Sequence, residues 1–133
     1  MPTFNDPTAD ADELREAARG LAHATRSMNN STAVYPVLGA LTASLASMSQ
    51  SLHQLGDLHD QPAKCGVSAI GDAQAGRAAS YRVAWELHRA AEMLQQVAEC
   101  IDRAHEIEAS MTYATSTPER PHRHPAPNAG LSL

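Results

Sequence analysis

A strict heptad rhythm in the middle of the chain constrains the fold more than any other sequence feature. Large apolar residues recur there at alternating steps of four and three: Val34, Leu38, Leu41, Leu45, Met48, Leu52 and Leu55. In an α-helix this spacing places all of these side chains on one face. The pattern predicts a helix that packs lengthwise, at a shallow angle, against another helix.

A second series of the same length lies nearer the C-terminus. Its members repeat the same steps: Val83, Leu87, Ala90, Leu94, Val97, Ile101 and Ala104. More apolar residues flank this series, with Ala84, Ala91 and Ala98 on one side and Met93, Cys100 and Ile107 on the other. Cys100 is accordingly expected to be a buried, inert thiol. Two matched series joined by a loop predict an antiparallel helical hairpin.

A shorter helix is predicted ahead of these two. Asp6 suits the N-cap, Pro7 suits the first helical position, and apolar residues recur at helical spacing as far as Met28. The predicted fold class is therefore all-α, an antiparallel hairpin or three-helix bundle. Its helices lie at about 7–28, 33–56 and 72–112, within one domain of residues 1–114. Residues 115–133 are rich in Pro, Ser and Thr, which predicts a disordered tail.

Charge and hydropathy narrow the classes of partner. A formal net charge of -5 argues against nucleic acid. The chain has no run of 18 apolar residues and no leader pattern. We therefore expect no membrane-spanning helix and no cleaved signal peptide, and we expect a cytoplasmic location. The apolar arc on the last predicted helix is wider than one short helix can cover. A homo-oligomer or a protein partner is therefore expected.

One cluster of side chains on the last predicted helix is a candidate binding surface. Its members are neighbours opposite the apolar series: Tyr81, Arg82, Trp85, His88 and Arg89. Tyr, Trp and Arg are the residues enriched at binding hot spots. Two interpretations stay open, a partner-binding face or a face on which the first helix packs and buries Trp85. Stacking on nucleic-acid bases is a third, weaker one.

Residues that carry catalytic or metal chemistry form only fragments of known patterns. Asp102 and His105 share one helix face, as in half of a di-iron motif, and Cys100 lies near them. A helical metal protein using these three residues is therefore an alternative. The preferred prediction has no catalytic residue, no cofactor and no metal ligand. Four polar residues are interpreted as solvated groups around a helix end: His53, Asp57, His59 and Asp60.

The layout, a small acidic helical hairpin, resembles the WXG100 family of proteins exported by type VII secretion systems. The chain departs from the motifs of that family. Its tryptophan, Trp85, is followed by Glu86 and Leu87 instead of x-Gly, and neither Tyr81 nor Tyr113 has an acidic residue four positions later. The resemblance implies a leaderless exported protein that pairs with a second hairpin.

The predicted function is a non-enzymatic helical interaction or scaffold protein that acts through self-association or a protein partner. A leaderless exported hairpin is the first alternative, and a helical metal-binding protein is the second.

Overall fold

The structure is a computed structural model that describes residues 1–61, 72–112 and 130. Within these residues the chain forms three α-helices: α1 (Pro7–Thr25), α2 (Val34–His59) and α3 (Ala73–Ala109). A 3₁₀ turn, Ser31–Ala33, leads directly into α2. The all-α class predicted from the sequence is confirmed. Each observed helix begins and ends within a few residues of its predicted limits.

Short side chains cap the helix starts, as the sequence suggests. Asp6 accepts hydrogen bonds from the backbone N–H groups of Thr8 and Ala9, and Asp72 accepts one from Gln74 at the start of α3. Asp10, in the first turn of α1, binds back to the chain ahead of it and accepts from the N–H groups of Thr3 and Phe4. These backbone hydrogen bonds, that of Thr3 foremost, hold the pKa of Asp10 below its usual value.

The two long helices form the predicted antiparallel hairpin. At one end the ring of Tyr35 stacks on His105, with 4.1 Å between centroids. In the middle, the Ser49 hydroxyl donates a 2.8 Å hydrogen bond to the carbonyl of Ala91. At the other end, the Ser80 hydroxyl donates to the carbonyl of His59. Along these three contacts the residue numbers rise on α2 and fall on α3, so the two helices are antiparallel.

The seam between α2 and α3 is made of small residues, and this corrects the predicted register. Ala84, Ala91 and Ala98 are buried on α3, and Ser49 and Gly56 are buried on α2. The predicted series placed Val83 and Val97 in this seam; instead they are 41% and 46% exposed. Ala, Ser and Gly let the two backbones approach closely enough for a side chain to reach a carbonyl of the other helix. The larger residues are therefore displaced sideways, and Leu87, Leu94 and Ile101 lie at the edge of the seam, partly buried.

Gly56 was expected to end α2, but the helix continues through it to His59. A Cβ on Gly56 would lie 2.8 Å from Nε2 of His88, closer than non-bonded atoms approach. The missing side chain gives the imidazole its place against α2, so this glycine serves close approach and not helix termination.

The first helix packs on neither of the other two within the described residues. It buries no side chain, and of the two interpretations of Trp85, the one in which α1 covers this residue is wrong. Its large apolar residues are Leu14 and Leu21, and Leu14 is exposed, as is Met28 just beyond the end of the helix. Residues 62–71, between α2 and α3, and the predicted disordered tail apart from residue 130 lie outside the described residues.

By length and composition alone, the segment Ser31–His59 is apolar enough to cross a membrane, which the sequence analysis did not expect. The segment contains a single acidic residue, Asp57, and no Lys or Arg. The core helix of a soluble protein meets the same criteria.

Candidate functional site

The hairpin buries very little of its apolar surface. The apolar residues that are buried, among those described, are Ala84, Ala91 and Ala98, and no large side chain in the described chain is fully buried. The large residues of both heptad series lie partly or wholly in solvent. Leu55 is 50% exposed and Met93 is 56% exposed. Large side chains left in water forgo most of the free energy that their burial contributes.

Most of these side chains lie on one side of the hairpin. Ser49 on α2 faces Ala91 on α3. Because the two helices are antiparallel, the residues that follow these two positions by the same number of steps lie on the same side of the hairpin. We call the side with the large apolar residues the apolar face. On α2 this face contains Leu41, Met48 and Leu55, and on α3 it contains Val83, Ala90, Val97 and Ala104. The row of Met93 and Ile107 lies next to it, toward the outer side of α3. Glu86 is the only charged residue in these rows.

The same rotation corrects the prediction for Cys100. The thiol is exposed, on the row of Met93 and Ile107, because Ala98 and not its neighbours occupies the seam. Its sulfur lies 3.0 Å from Nη2 of Arg103. Cys65, the other cysteine, lies outside the described residues.

The predicted binding cluster on α3 is divided by the fold. Trp85 is 60% exposed, and the guanidinium of Arg89 lies over its ring, 5.4 Å from the centroid. Tyr81 and Arg82 are exposed beside it, and with Trp85 they line a surface concavity. His88 does not join them, because its ring turns toward α2. A Tyr–Trp–Arg surface on the outer side of α3 is left as the candidate partner-binding surface.

The side of the hairpin opposite the apolar face is polar, and a chain of side chains crosses the seam there. Nε2 of His88 lies 3.0 Å from Oδ2 of Asp60 and 3.4 Å from Oδ1 of Asp57. Its other nitrogen, Nδ1, lies 2.9 Å from Nδ1 of His53. Nε2 of His53 in turn lies 3.3 Å from Oε1 of Glu92. We call these five residues the His–Asp cluster.

Sequence reasoning missed the His–Asp cluster. It interpreted His53, Asp57 and Asp60 as solvated groups and assigned His88 to the Trp85 surface. One signal was present, since residues 53, 57 and 60 are spaced by four and three and lie on one face of a continuous helix. That signal was hidden by the assumption that Gly56 ended α2.

The metal alternative on α3 gains no support from the geometry. Cys100, Asp102 and His105 do not converge on a common point, and the His105 ring is stacked on Tyr35. In the part of the chain that the structure describes, the one group of His, Cys, Asp or Glu donors close enough to hold an ion is Asp57, Asp60 and His88.

Fold and sites together define an all-α protein with a two-helix hairpin that is apolar on one side and polar on the other. Compared with known proteins, the chain matches no protein family, no curated protein and no solved structure.

Proposed function

We propose that the protein is a non-enzymatic helical interaction protein that works as an assembly of at least two copies, joined through the apolar face. One observation carries this proposal: the large apolar residues of two heptad series share an exposed side, while the hairpin seam is made of Ala, Ser and Gly. A hairpin with so small a core gains little from folding alone. Stacking two hairpins face to face gives a four-helix arrangement in which these rows are buried.

A second copy fits the apolar face better than α1 does. The apolar residues of this face on α3 run from Val83 to Ala104, about 32 Å of helix at 1.5 Å per residue. The large apolar residues of α1, Leu14 and Leu21, span only about 10 Å. The first helix is therefore too short to cover the face, whereas another hairpin matches it in length.

The lack of charge on the apolar face also favours self-association. In a two-fold symmetric dimer the same patch meets itself, so any charged row would meet a like charge. Apart from Glu86 the rows of this face carry no charge, and the acidic groups of α3 lie elsewhere. A partner recognised by ion pairs would need a charged surface, which this side of the hairpin does not offer.

Two neighbouring substitutions test the proposal. Val97→Glu introduces a negative charge on the apolar face, and Gln96→Glu introduces the same charge one residue away, on the outer side of α3. Both positions are exposed in the single chain, so neither change removes a buried contact. We expect sedimentation velocity to show a dimer or larger species for the native protein and for Gln96→Glu. Val97→Glu should dissociate at least 10-fold more readily, since a charge is costly to bury without a partner.

Three results would contradict self-association. The first is a native protein that stays monomeric when its concentration is raised 100-fold within the sedimentation series. The second is an equal effect of the two substitutions. The third is insertion of the native protein into neutral lipid vesicles instead of association in water, which would assign the apolar face to a membrane. Far-ultraviolet circular dichroism of each variant shows whether the helices are retained.

A further inference from the structure

The His–Asp cluster admits two arrangements of protons on its histidine pair, and they differ at the His88 nitrogen that faces the aspartates. In the first arrangement, Nε2–H of His88 donates to Asp60 and Nδ1–H of His53 donates to Nδ1 of His88. In the second arrangement, the proton of His53 is on Nε2 and faces Glu92, since a carboxylate only accepts hydrogen bonds. The other nitrogen of a neutral His53 is then an acceptor. The 2.9 Å contact between the two Nδ1 atoms accordingly places the N–H of His88 on its Nδ1. This leaves Nε2 of His88 as a lone pair.

That lone pair points at two other electron-rich groups. Oδ2 of Asp60 and Oδ1 of Asp57 lie 3.0 and 3.4 Å from it, and the three donor atoms lie within 4.8 Å of one another. In the second arrangement these three lone-pair donors repel unless a cation lies among them, and a bound cation favours that arrangement because it takes the place of the Nε2 proton. Zn²⁺ bonds to imidazole nitrogen and carboxylate oxygen are about 2.0–2.2 Å, which in a tetrahedron separates the donors by about 3.3 Å. The observed spacing is close to this.

The position of the carboxylates on α2 also favours a cation. Asp60 is the C-cap of the helix and Asp57 lies in its last turn. The C-terminal end of a helix carries partial negative charge, so acidic groups are unfavourable there and a bound cation is favourable. Gly56 lies between these residues and the imidazole, and its missing side chain is what admits the His88 ring.

We infer that Asp57, Asp60 and His88 form a binding site for a divalent transition-metal ion of the zinc class. The metal would bond to Nε2 of His88 and to one oxygen of each aspartate, with its remaining position open to water. His53 and Glu92 are positioning residues: they fix the tautomer and the orientation of His88, as the hydrogen-bond partners of a metal-bound histidine do. The ion would join the end of α2 to α3 and so clasp the hairpin.

Zn²⁺ titration of the full chain, freed of metal and placed in competition with a chromophoric chelator, tests this site. We expect one strong site per chain and a higher melting temperature with Zn²⁺ than with the chelator. Asp57→Asn with Asp60→Asn should weaken the site at least 100-fold and abolish the thermal shift. Glu92→Gln should weaken it about 10- to 100-fold while leaving all three ligands in place.

A matched control keeps the experiment specific. Glu99→Gln with Asp102→Asn removes two exposed carboxylates from the same molecule but spares the site, so binding should equal that of the native protein. Every variant retains all seven histidines, which separates this site from adventitious binding elsewhere. The inference is overturned if the native protein has no strong Zn²⁺ site, if the Asn pair binds as well as the native protein, or if Mg²⁺ or Ca²⁺ is preferred. The contacts would then be those of the first arrangement, in which Nε2–H of His88 donates to Asp60.

Discussion

Small side chains at two positions of α2 determine how closely the helices of the hairpin approach. Ser49 reaches the carbonyl of Ala91, and Gly56 leaves room for the ring of His88. Such contacts require the helix axes to be nearer than Leu-on-Leu packing allows. The small size of each of these residues is therefore explained by the group opposite it on α3, and not by its own helix propensity.

Substituting Gly56 tests this explanation. Gly56→Ala should lower the free energy of unfolding by about 1 kcal/mol, because the new Cβ displaces a hydrogen-bonded His88 ring, and this outweighs the usual gain of Ala over Gly in a helix. Gly20→Ala is the matched control, since nothing lies within 4 Å of its would-be Cβ. It should raise the helicity of α1 without cost. Urea unfolding followed by circular dichroism measures both; a stabilising Gly56→Ala would refute the close-approach explanation.

At the level of single residues the sequence was most informative where chemistry is local. Asp6 as an N-cap needs only its own neighbours, and it was predicted. Residues whose environment comes from the other helix were misjudged: Cys100 was expected inside, and His88 was expected beside Trp85. Their surroundings depend on the rotation of α3 about its axis, which no local signal specifies.

The rotation of α3 is the point at which the prediction of elements failed. Large apolar side chains at heptad spacing were expected to lie in the seam, since burying them contributes most. The row of Ala84, Ala91 and Ala98 lies beside the expected one, and Leu87, Leu94 and Ile101 belong to both possible seams. Only the small residues on α2, which match an alanine row in size, distinguish the two arrangements. The antiparallel pairing itself was predictable from two series of equal length.

The separation of α1 from the hairpin leads to a prediction for two leucines. Leu45 lies at the edge of the hairpin seam and is partly buried. Leu45→Ala should therefore reduce the free energy of unfolding by about 2 kcal/mol. Leu21→Ala, the same change on α1, should alter it by less than about 0.5 kcal/mol because α1 packs on neither long helix. Both are measured by urea unfolding at low protein concentration. Equal losses would mean that α1 is part of the core.

For the whole molecule, the sequence indicated a need for association and assigned it to the surface around Trp85, and both stay predictions. The wide apolar arc on the last predicted helix led to an expected oligomer. The surface chosen in advance was Tyr81, Trp85 and Arg89, because these residue types are common at interfaces. The fold instead leaves its largest apolar residues together on the opposite side of the hairpin, and the Trp85 surface becomes a second candidate region for a partner.

Net charge and the apolar face together predict how salt affects the assembly. Each copy carries a formal charge of -5, so two copies repel, whereas the surfaces that meet are nearly uncharged. Raising NaCl from 20 mM to 500 mM shortens the screening length from roughly 20 Å to about 4 Å and removes most of this repulsion. We therefore expect the dissociation constant from sedimentation to fall about 3-fold or more. Gln96→Glu adds charge away from the proposed interface and should make the dissociation constant depend more steeply on salt. An assembly that weakens as salt is raised would contradict the prediction, because it would have to be held by ion pairs, which the apolar face does not contain.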